Sequence, residues 1–291
     1  MGDKPAYRNL GELVRDRLVT FVVWVMHSLG NKDFGEPNGF SVETVQISLK
    51  RLPRVFSGFR IAQISDIHIG GWITPDRLQQ VAELVAAEKP DILVVTGDFL
   101  KGRSFSETEK QGIRDLARIL SPLASSVPTF AVLGNHDYWT NPDAIREMLR
   151  QCGITDLTNA VYAVTRQQEK FYLCGVDDIR HGDVRLDEVI AQLEENSAAI
   201  LLVHEPDFAD ESAATGKFDL QISGHTHGGQ IVVPFLGPPV LPPSGRKYPS
   251  GLYKVGDMLQ YTNRGVGTDT VSVRINCPPE ITIFVLKSMA S

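Results

Sequence analysis

Cysteine is scarce in this sequence, which contains three cysteines among 291 residues. Cys152, Cys174 and Cys277 lie far apart, and no two of them form a Cys-x-x-Cys pair. A dispersed, odd-numbered set of this kind provides neither a disulfide framework nor the ligand spacing of a zinc finger. We therefore expect a protein of a reducing compartment.

Positive charge is also in deficit, since 29 Lys and Arg residues stand against 35 Asp and Glu residues and give a net charge of −6. A protein that neutralises nucleic-acid phosphates needs the opposite balance, so the charge argues against a nucleic-acid partner. It does not exclude a small phosphorylated substrate, because a bound metal ion supplies local positive charge whatever the net charge. The hydrophobic content of 42% is ordinary for a soluble globular protein.

A long apolar run is missing as well. The N-terminal candidate, from Leu18 to Met26, has nine residues before His27 and Ser28 interrupt it, whereas a transmembrane helix needs about 20. Apolar residues between positions 10 and 29 follow helical spacing. This segment could pack on its own domain or lie in a membrane interface, and the all-round apolar stretch with Trp24 favours the interface.

These features divide the chain into two parts. Residues 1–34 are predicted to form an N-terminal amphipathic to apolar helix and linker, and residues 35–291 to form the main domain. Strand-like runs alternate with helical patterns in the main domain, which indicates an α/β fold. A hairpin-like pattern at residues 161–176 and a strand-rich end from Leu252 to Val285 favour mixed rather than purely parallel sheets.

A turn with two histidines is the most informative stretch. His225 and His227 lie one residue apart within Ser223–Gln230, directly after the apolar run Phe218–Ile222. Glycines in such a loop let the backbone take positive φ values and turn both rings towards one point. Two converging imidazoles at the end of a buried strand suit a transition metal, and the alternative is a pair of surface histidines beside a turn.

Polar residues of ligand type end five core-type strands in the same way. In open α/β sheets, ligands bind beyond the carboxyl ends of the strands. Any single one of these residues has an ordinary explanation, such as an Asx turn or a helix cap, but five such strand ends are hard to obtain by chance. The residues are Asp66, His68, Asp98, Asn135, His136, His204, His225 and His227.

The pattern resembles that of the calcineurin-like metallophosphoesterases, from about residue 58 to the end of the chain. The residues that carry the resemblance are Asp66-x-His68, Gly97-Asp98, Gly134–Asp137, His204 and Gly224–His227. Similarity to the YaeI/YkuE-like bacterial branch rests on a second set, namely Gly228–Gln230, Tyr261–Gly267 and Arg274–Ile281.

The resemblance implies that residues 35–291 are a metallophosphoesterase domain, a four-layer α/β/β/α sandwich of two mixed sheets with two divalent metal ions. Carboxylate, imidazole and amide ligands suit Mn²⁺, Fe or Zn²⁺, with Mn²⁺ expected first, and the lack of thiolate argues against a closed structural zinc site. By motif position the first ion is assigned to Asp66, His68, Asp98 and His227, and the second to Asp98, Asn135, His204 and His225.

The same resemblance implies the chemistry. Two such ions about 3.5–4 Å apart activate a bridging water and clamp a phosphoryl group for in-line displacement. His136 would stabilise the developing charge or protonate the leaving oxygen, and Asp137 would orient His136. No serine or cysteine nucleophile is required.

Substrate contacts are expected near the metal-binding turn. The proline-rich segment Val233–Ser250 leaves from Gln230 and would form a wall of the substrate cleft, the alternative being a surface loop stiffened by proline. Lys247 and Tyr248 at its end, and Arg264 in a Gly-rich turn, are candidate substrate contacts. For Arg264, a side chain that simply faces solvent is an equal alternative.

The sequence therefore predicts a dinuclear-metal-dependent phosphoester hydrolase, first of all a phosphodiesterase. The N-terminal segment adds an alternative, a pyrophosphohydrolase of a lipid-linked nucleotide such as UDP-2,3-diacylglucosamine in lipid A biosynthesis. A non-catalytic metal-binding scaffold is a third reading, which the complete ligand set and the presence of His136 oppose. The expected location is the bacterial cytoplasm, with peripheral contact of residues 10–29 to the inner face of the cell membrane.

Overall fold

The computed structural model describes residue 17, residues 39–269 and residues 271–289. The helix predicted within residues 1–34 and its membrane contact through residues 10–29 lie outside the described residues, apart from Arg17. Of the helices in the described ranges, none is long and apolar enough to cross a membrane.

Within the described part of the chain, twelve strands form two sheets of six. The strands are β1 (Ser41–Leu49), β2 (Arg60–Ile64), β3 (Ile92–Thr96), β4 (Thr129–Val132), β5 (Thr155–Asp156), β6 (Ala160–Arg166), β7 (Glu169–Gly175), β8 (Ala199–Leu202), β9 (Leu220–Ser223), β10 (Gly251–Val255), β11 (Met258–Thr262) and β12 (Glu280–Ser288). Their order is β1-β12-β2-β3-β4-β5 in the first sheet and β10-β11-β9-β8-β7-β6 in the second.

Both sheets are mixed, as the sequence predicts. Strands β2 to β5 run parallel in the first sheet, and β12 pairs antiparallel with β2. Strands β7, β8, β9 and β11 run parallel in the second sheet, and the β6–β7 hairpin and β10 supply its antiparallel edges.

The two longest helices begin at clear capping signals. Thr74 accepts a hydrogen bond from the backbone of Arg77 at the start of the first helix, and Ser106 and Glu109 form a capping box at the start of the second. The helices are α1 (Pro75–Ala87), α2 (Glu107–Ser126), α3 (Asn135–Thr140), α4 (Pro142–Gln151), α5 (Leu186–Ile190) and α6 (Ala209–Ala214).

Three hydrophobic clusters define four layers. The first lies between the first sheet and α1, α2 and α4, and the second fills the space between the two sheets. The third lies between the outer face of the second sheet and α5 and α6. The α/β/β/α sandwich implied by the family resemblance is therefore confirmed.

The carboxyl ends of the parallel strands from both sheets meet at one edge of the sandwich. The buried side chain of Gln63 in β2 donates to Thr96 Oγ1 at the end of β3 (2.9 Å) and to the carbonyl oxygen of Ser223 in β9 (3.0 Å). This bridge joins the two sheets directly before the loops that carry the predicted ligands.

Candidate metal centre

The structure brings every predicted ligand to this common edge. Each strand delivers its residues within a few positions of its last hydrogen-bonded residue, and each of these side chains is at most 6% exposed. The residues are Asp66 and His68 after β2, Asp98 after β3, Asn135 and His136 at the start of α3, His204 after β8, and His225 and His227 after β9.

Five of these residues have left-handed backbone conformations. A non-glycine residue there costs of order 1–3 kcal/mol, and such conformations cluster at functional sites. The strand-to-loop turns are thus tight enough to aim side chains from neighbouring strands at one volume. The residues are Asp66 (φ 53°), His68 (46°), Asp98 (58°), His225 (71°) and His227 (52°).

Two positions next to the ligands require glycine, because neighbouring atoms lie too close to leave room for a Cβ atom. A Cβ atom at Gly97 would lie 2.8 Å from Nδ1 of His204, and one at Gly134 would overlap the carboxylate of Asp98. These two glycines therefore let the ligand loops of the two sheets pack against each other.

The first group of ligand atoms is centred on His68. Its Nε2 atom lies 3.1 Å from His227 Nε2 and 3.5 Å from Asp98 Oδ2. His227 Nε2 lies 3.4 Å from Asp66 Oδ1. Two imidazole nitrogens and two carboxylate oxygens thus face one another at distances that a shared cation can span.

The second group lies on the other side of Asp98. Nε2 of His204 is 3.2 Å from Asp98 Oδ2, and the ring of His225 packs 5.0 Å from that of His204. The buried Oδ1 atom of Asn135 accepts no hydrogen bond among the described residues. An acceptor without a donor at this depth is costly, and a cation would satisfy it.

Backbone carbonyls fix the tautomers of three histidines. Because a carbonyl oxygen only accepts, the ring nitrogen that faces it carries the proton, and the other nitrogen presents a lone pair to the centre. The contacts are His68 Nδ1 to Leu100 O (3.2 Å), His204 Nδ1 to Thr96 O (2.6 Å) and His225 Nε2 to Pro243 O (2.9 Å).

His227 has a different neighbour. The buried guanidinium of Arg274 lies 3.3 Å from its Nδ1 atom and 3.4 Å from its carbonyl oxygen. The same guanidinium donates to the carbonyl oxygens of Gly265 and Gly267. Arg274 therefore ties the metal-binding turn to the loop that follows β11.

Burial shifts the pKa values of the imidazoles in the centre, and neighbouring charges modify the result. It lowers the pKa of His68 and of His225 to about 3, with help from neighbouring histidines, and it raises the pKa of Asp66 to about 6. At His204 burial is outweighed by the adjacent carboxylate of Asp98, which holds the pKa well above its ordinary value. The centre is therefore a buried set of imidazoles, carboxylates and one amide oxygen, a donor set that fits divalent Mn, Fe or Zn.

His136 lies beside this set and reaches the cavity in front of it. Its backbone N–H donates to Asp98 Oδ1 (2.8 Å), and its Nδ1 atom lies 3.2 Å from the carbonyl oxygen of Lys101. The other ring nitrogen, Nε2, is 3.6 Å from Asp269 Oδ1. The tautomer with the proton on Nδ1 thus leaves Nε2 to exchange a proton on the cavity side.

Asp137 does not contact the ring of His136, which differs from the expectation that it orients that ring. Its carboxylate is fully buried and accepts hydrogen bonds from the backbone N–H groups of Asp98 (2.9 Å), Phe99 (2.9 Å) and Gly134 (3.0 Å). The reason is geometric: Asp137 occupies the first turn of α3, where its side chain turns back onto the chain. It therefore holds the loop of Asp98.

A cavity of about 270 Å³ opens in front of the centre. The proline-rich segment supplies one wall through Val240–Pro243, and polar and aromatic side chains from three other loops and from α3 complete the lining. These are Arg103, Trp139, Arg180, His181 and Asp269, together with His136, His225 and His227 from the centre.

The three predicted substrate contacts do not line this cavity. Arg264 forms ion pairs with Glu280 and Glu43. Tyr248 is buried and, with Lys247, bonds to Asp210 on α6. The carboxylate partners of these side chains, which lie far away in the sequence, draw them away from the cleft.

Arg180 and His181 follow β7, and a sequence signal for them existed. The sequence pattern indicates this strand as half of a hairpin, and the structure shows that it also runs parallel to β8 and ends at the same edge as the other ligand-bearing strands. The rule that sites form beyond the carboxyl ends of parallel strands applies to it as well. Trp139 closely follows the motif at residues 134–137, a position from which an aromatic side chain can line the cleft or simply pack, and the structure places it at the cavity. No comparable pattern marks Arg103 or Asp269.

Comparisons with known proteins agree with this geometry. The family model of the calcineurin-like phosphoesterases matches residues 59–229. The chain is 33% identical over 251 residues to the metallophosphoesterase YkuE of Bacillus subtilis, covering 85% of this chain and 86% of YkuE. It is 32% identical over 237 residues to the phosphodiesterase YaeI of Escherichia coli, covering 78% and 82%.

A vertebrate relative is also similar. A transmembrane protein with a metallophosphoesterase domain from Danio rerio is 28% identical over 264 residues, which cover 84% of this chain and 57% of that protein. The similarity to all three relatives extends over most of the present chain.

Proposed function

The chain belongs to the calcineurin-like phosphoesterase family and is a metal-dependent phosphoester hydrolase, and on that premise we propose that it is a phosphodiesterase with a two-metal centre. The observation that carries the proposal is the buried set of converging donors around Asp98, with a solvent-connected cavity in front of it. A diester is favoured over a monoester by the similarity to YaeI, which is named a phosphodiesterase.

The proposed ligand assignment follows the two groups of atoms. Bound there, two divalent ions would lower the pKa of a water molecule and neutralise charge on the phosphoryl oxygens. Asp98 lies in both groups, with Oδ2 at 3.5 Å from His68 Nε2 and 3.2 Å from His204 Nε2, so it is the carboxylate that both ions would share. The first ion is assigned to Asp66, His68, Asp98 and His227, and the second to Asp98, Asn135, His204 and His225.

His136 is the proposed proton donor to the leaving oxygen. The carbonyl oxygen of Lys101 accepts a hydrogen bond from Nδ1 of His136 and so fixes its tautomer, while Nε2 lies on the cavity side near Asp269. General acid catalysis by a positioned imidazole is worth about 10²–10⁴ in rate. Arg103 and Arg180 line the same cavity and would bind the non-transferred part of the phosphodiester.

A lipid-linked pyrophosphate is the second candidate substrate. The specific observation in its favour is the apolar wall Val240–Pro243, which lines the cavity together with polar residues of other loops. An apolar wall of this kind would bind an acyl or prenyl chain more favourably than a wall of solvent-exposed polar residues would. Peripheral membrane contact through residues 10–29 belongs to this candidate, as does the expected cytoplasmic face of the membrane.

The proposal is tested by turnover of three substrates in the presence of Mn²⁺: p-nitrophenyl phosphate, bis-p-nitrophenyl phosphate and a UDP-linked diacyl sugar. A preference for the diester supports the phosphodiesterase, and a preference for the UDP-linked lipid supports the second candidate. A preference for the monoester contradicts both. If none is hydrolysed while two ions are bound per chain, the protein is a metal-binding scaffold.

A further inference from the structure

The segment Ile231–Pro243, which follows the metal-binding turn, contains no polar side chain. Its thirteen residues are aliphatic, aromatic, glycine or proline, and five of them are proline. Every residue of the segment is at least partly exposed to solvent. An uninterrupted apolar surface segment of this length marks an interaction site rather than ordinary surface.

Residues 233–237, near the middle of the segment, form a projecting tip. Val233 and Gly237 pair across a tight turn, and Phe235 and Leu236 at its end are 108% and 85% exposed. They are the two most exposed large hydrophobic residues in the described ranges. Phe235 has φ of 68°, a rare conformation for a bulky residue, so the turn holds both side chains outwards at a cost in strain.

Most backbone donors of the tip are paired within it. The N–H groups of Leu236 and Gly237 donate to the carbonyl oxygen of Val233, and the N–H of Val233 donates to the carbonyl oxygen of Gly237. Pro234 and Pro238 have no N–H group, so among residues 233–238 only the N–H of Phe235 makes no hydrogen bond to another described residue. Internal pairing lowers the cost of entering hydrocarbon, because hydrocarbon offers no acceptors, whereas a protein partner would supply them.

The shape of the tip points the same way. A stable protein interface buries about 800 Å² on each partner, which two side chains on a convex turn cannot supply. Insertion into a lipid interface needs only a few apolar side chains. The exposed arginines Arg103 and Arg180 line the adjacent cavity and would attract anionic headgroups.

We propose that Phe235 and Leu236 form a membrane-docking tip that inserts into a lipid bilayer and brings the catalytic cleft to its surface. The connection to the cleft is short, because Val240–Pro243 line the cavity and the carbonyl of Pro243 contacts His225. The tip therefore deepens the proposed function by placing a lipid surface beside the site. The proposal that docking brings the cleft to a lipid surface rests on the proposed phosphoesterase function. The docking of the tip itself does not depend on that function.

The experiment uses the full chain and vesicles of phosphatidylcholine with phosphatidylglycerol. The double variant Phe235→Ser/Leu236→Ser should lower the vesicle partition coefficient at least about tenfold. Leu252→Ser is the matched control, since Leu252 is another exposed hydrophobic residue on the surface, and it should leave partitioning unchanged. Both variants should hydrolyse soluble bis-p-nitrophenyl phosphate at the parent rate.

Tryptophan fluorescence at the tip measures insertion of the tip directly, so binding of the vesicle through residues 1–34 does not mask it. Lipids brominated in the acyl chain should quench the fluorescence of the tryptophan introduced by Phe235→Trp. They should not quench that of the tryptophan introduced by Leu252→Trp. Equal quenching of the two variants, a parent that does not bind vesicles, or dimerisation lost in the Ser variant would overturn the proposal. A parent that inserts but hydrolyses no phosphoester would contradict the proposed function alone.

Discussion

The carboxylate of Asp137 holds the backbone of Asp98, with Oδ2 accepting from the Asp98 N–H at 2.9 Å. Asp98 has a positive φ of 58° and lies between the two groups of proposed metal-ligand atoms. A residue in that conformation keeps its position only when its surroundings enforce it. Asp137 is therefore a positioning residue whose effect reaches the centre through the main chain.

Replacing Asp137 tests this role. In Asp137→Asn, an NH₂ group replaces one of the two carboxylate oxygens, so it faces either the backbone N–H of Phe99 or those of Asp98 and Gly134. We expect the free energy of unfolding to fall by about 1–3 kcal/mol and metal affinity to fall about tenfold or more. Denaturant unfolding and a metal titration measure the two effects, and unchanged affinity in a folded variant would contradict the assignment.

The general acid is tested by His136→Asn. The variant should bind two ions, because the proposed ligand set excludes His136, and should lose about 10²–10⁴ in kcat for the diester. A diester with a more acidic leaving group should be affected less, since it needs less protonation. Loss of one bound ion would instead make His136 a ligand.

The structure and the sequence point to different substrate contacts, and mutagenesis can distinguish them. Arg103→Ala should lower kcat/KM about tenfold by removing a charged contact from the cavity, whereas Lys247→Ala, at a residue paired with Asp210 outside the cavity, should have no effect. Steady-state kinetics on bis-p-nitrophenyl phosphate measures both. The reverse result would restore the sequence-based assignment.

The cysteines should be inert in the folded protein. Burial raises the pKa of Cys174 to about 12 and raises that of Cys152 and Cys277 as well. Less than one thiol per chain should react with a disulfide reagent at pH 8 before unfolding, and three should react afterwards. Rapid labelling of the folded chain would contradict the buried packing of all three.

The raised pKa of Cys174 also determines how the free energy of unfolding changes at high pH. An unfolded thiol loses its proton near its ordinary pKa of 9.0, while the folded chain retains it on Cys174 up to about 12. The unfolded state then binds fewer protons, so the free energy of unfolding should fall as pH rises through this window. Cys174→Ala should flatten the fall in a series of denaturation curves.

The strand-end residues were predictable because their signal is local. Asp98, His204 and His225 follow apolar runs directly, and parallel strands of both sheets end at one edge, so sequence position alone indicates a common site. The start of α1 was predictable for the same reason, since the sequence displays both its cap, Thr74, and the proline at its first position. The four-layer arrangement, in contrast, was implied by the family resemblance.

Side-chain partners far apart in the sequence were not predictable. Arg264 is drawn to Glu280 and Glu43, and neither pairing leaves a mark in the residues around it. The orientation of Asp137 depends on backbone N–H groups of a loop about forty residues away, and such groups carry no sequence signal. The left-handed conformation of the ligands is likewise set by tertiary contacts and not by glycine.

The most direct test of the central claim is a metal count on the purified chain and on Asp98→Asn, with diester turnover measured on the same samples. The account predicts about two divalent ions in the active parent, and a loss of at least one ion together with turnover in the variant, because Asp98 lies in both ligand groups. Full diester turnover by the variant, or by a metal-free parent, would contradict it.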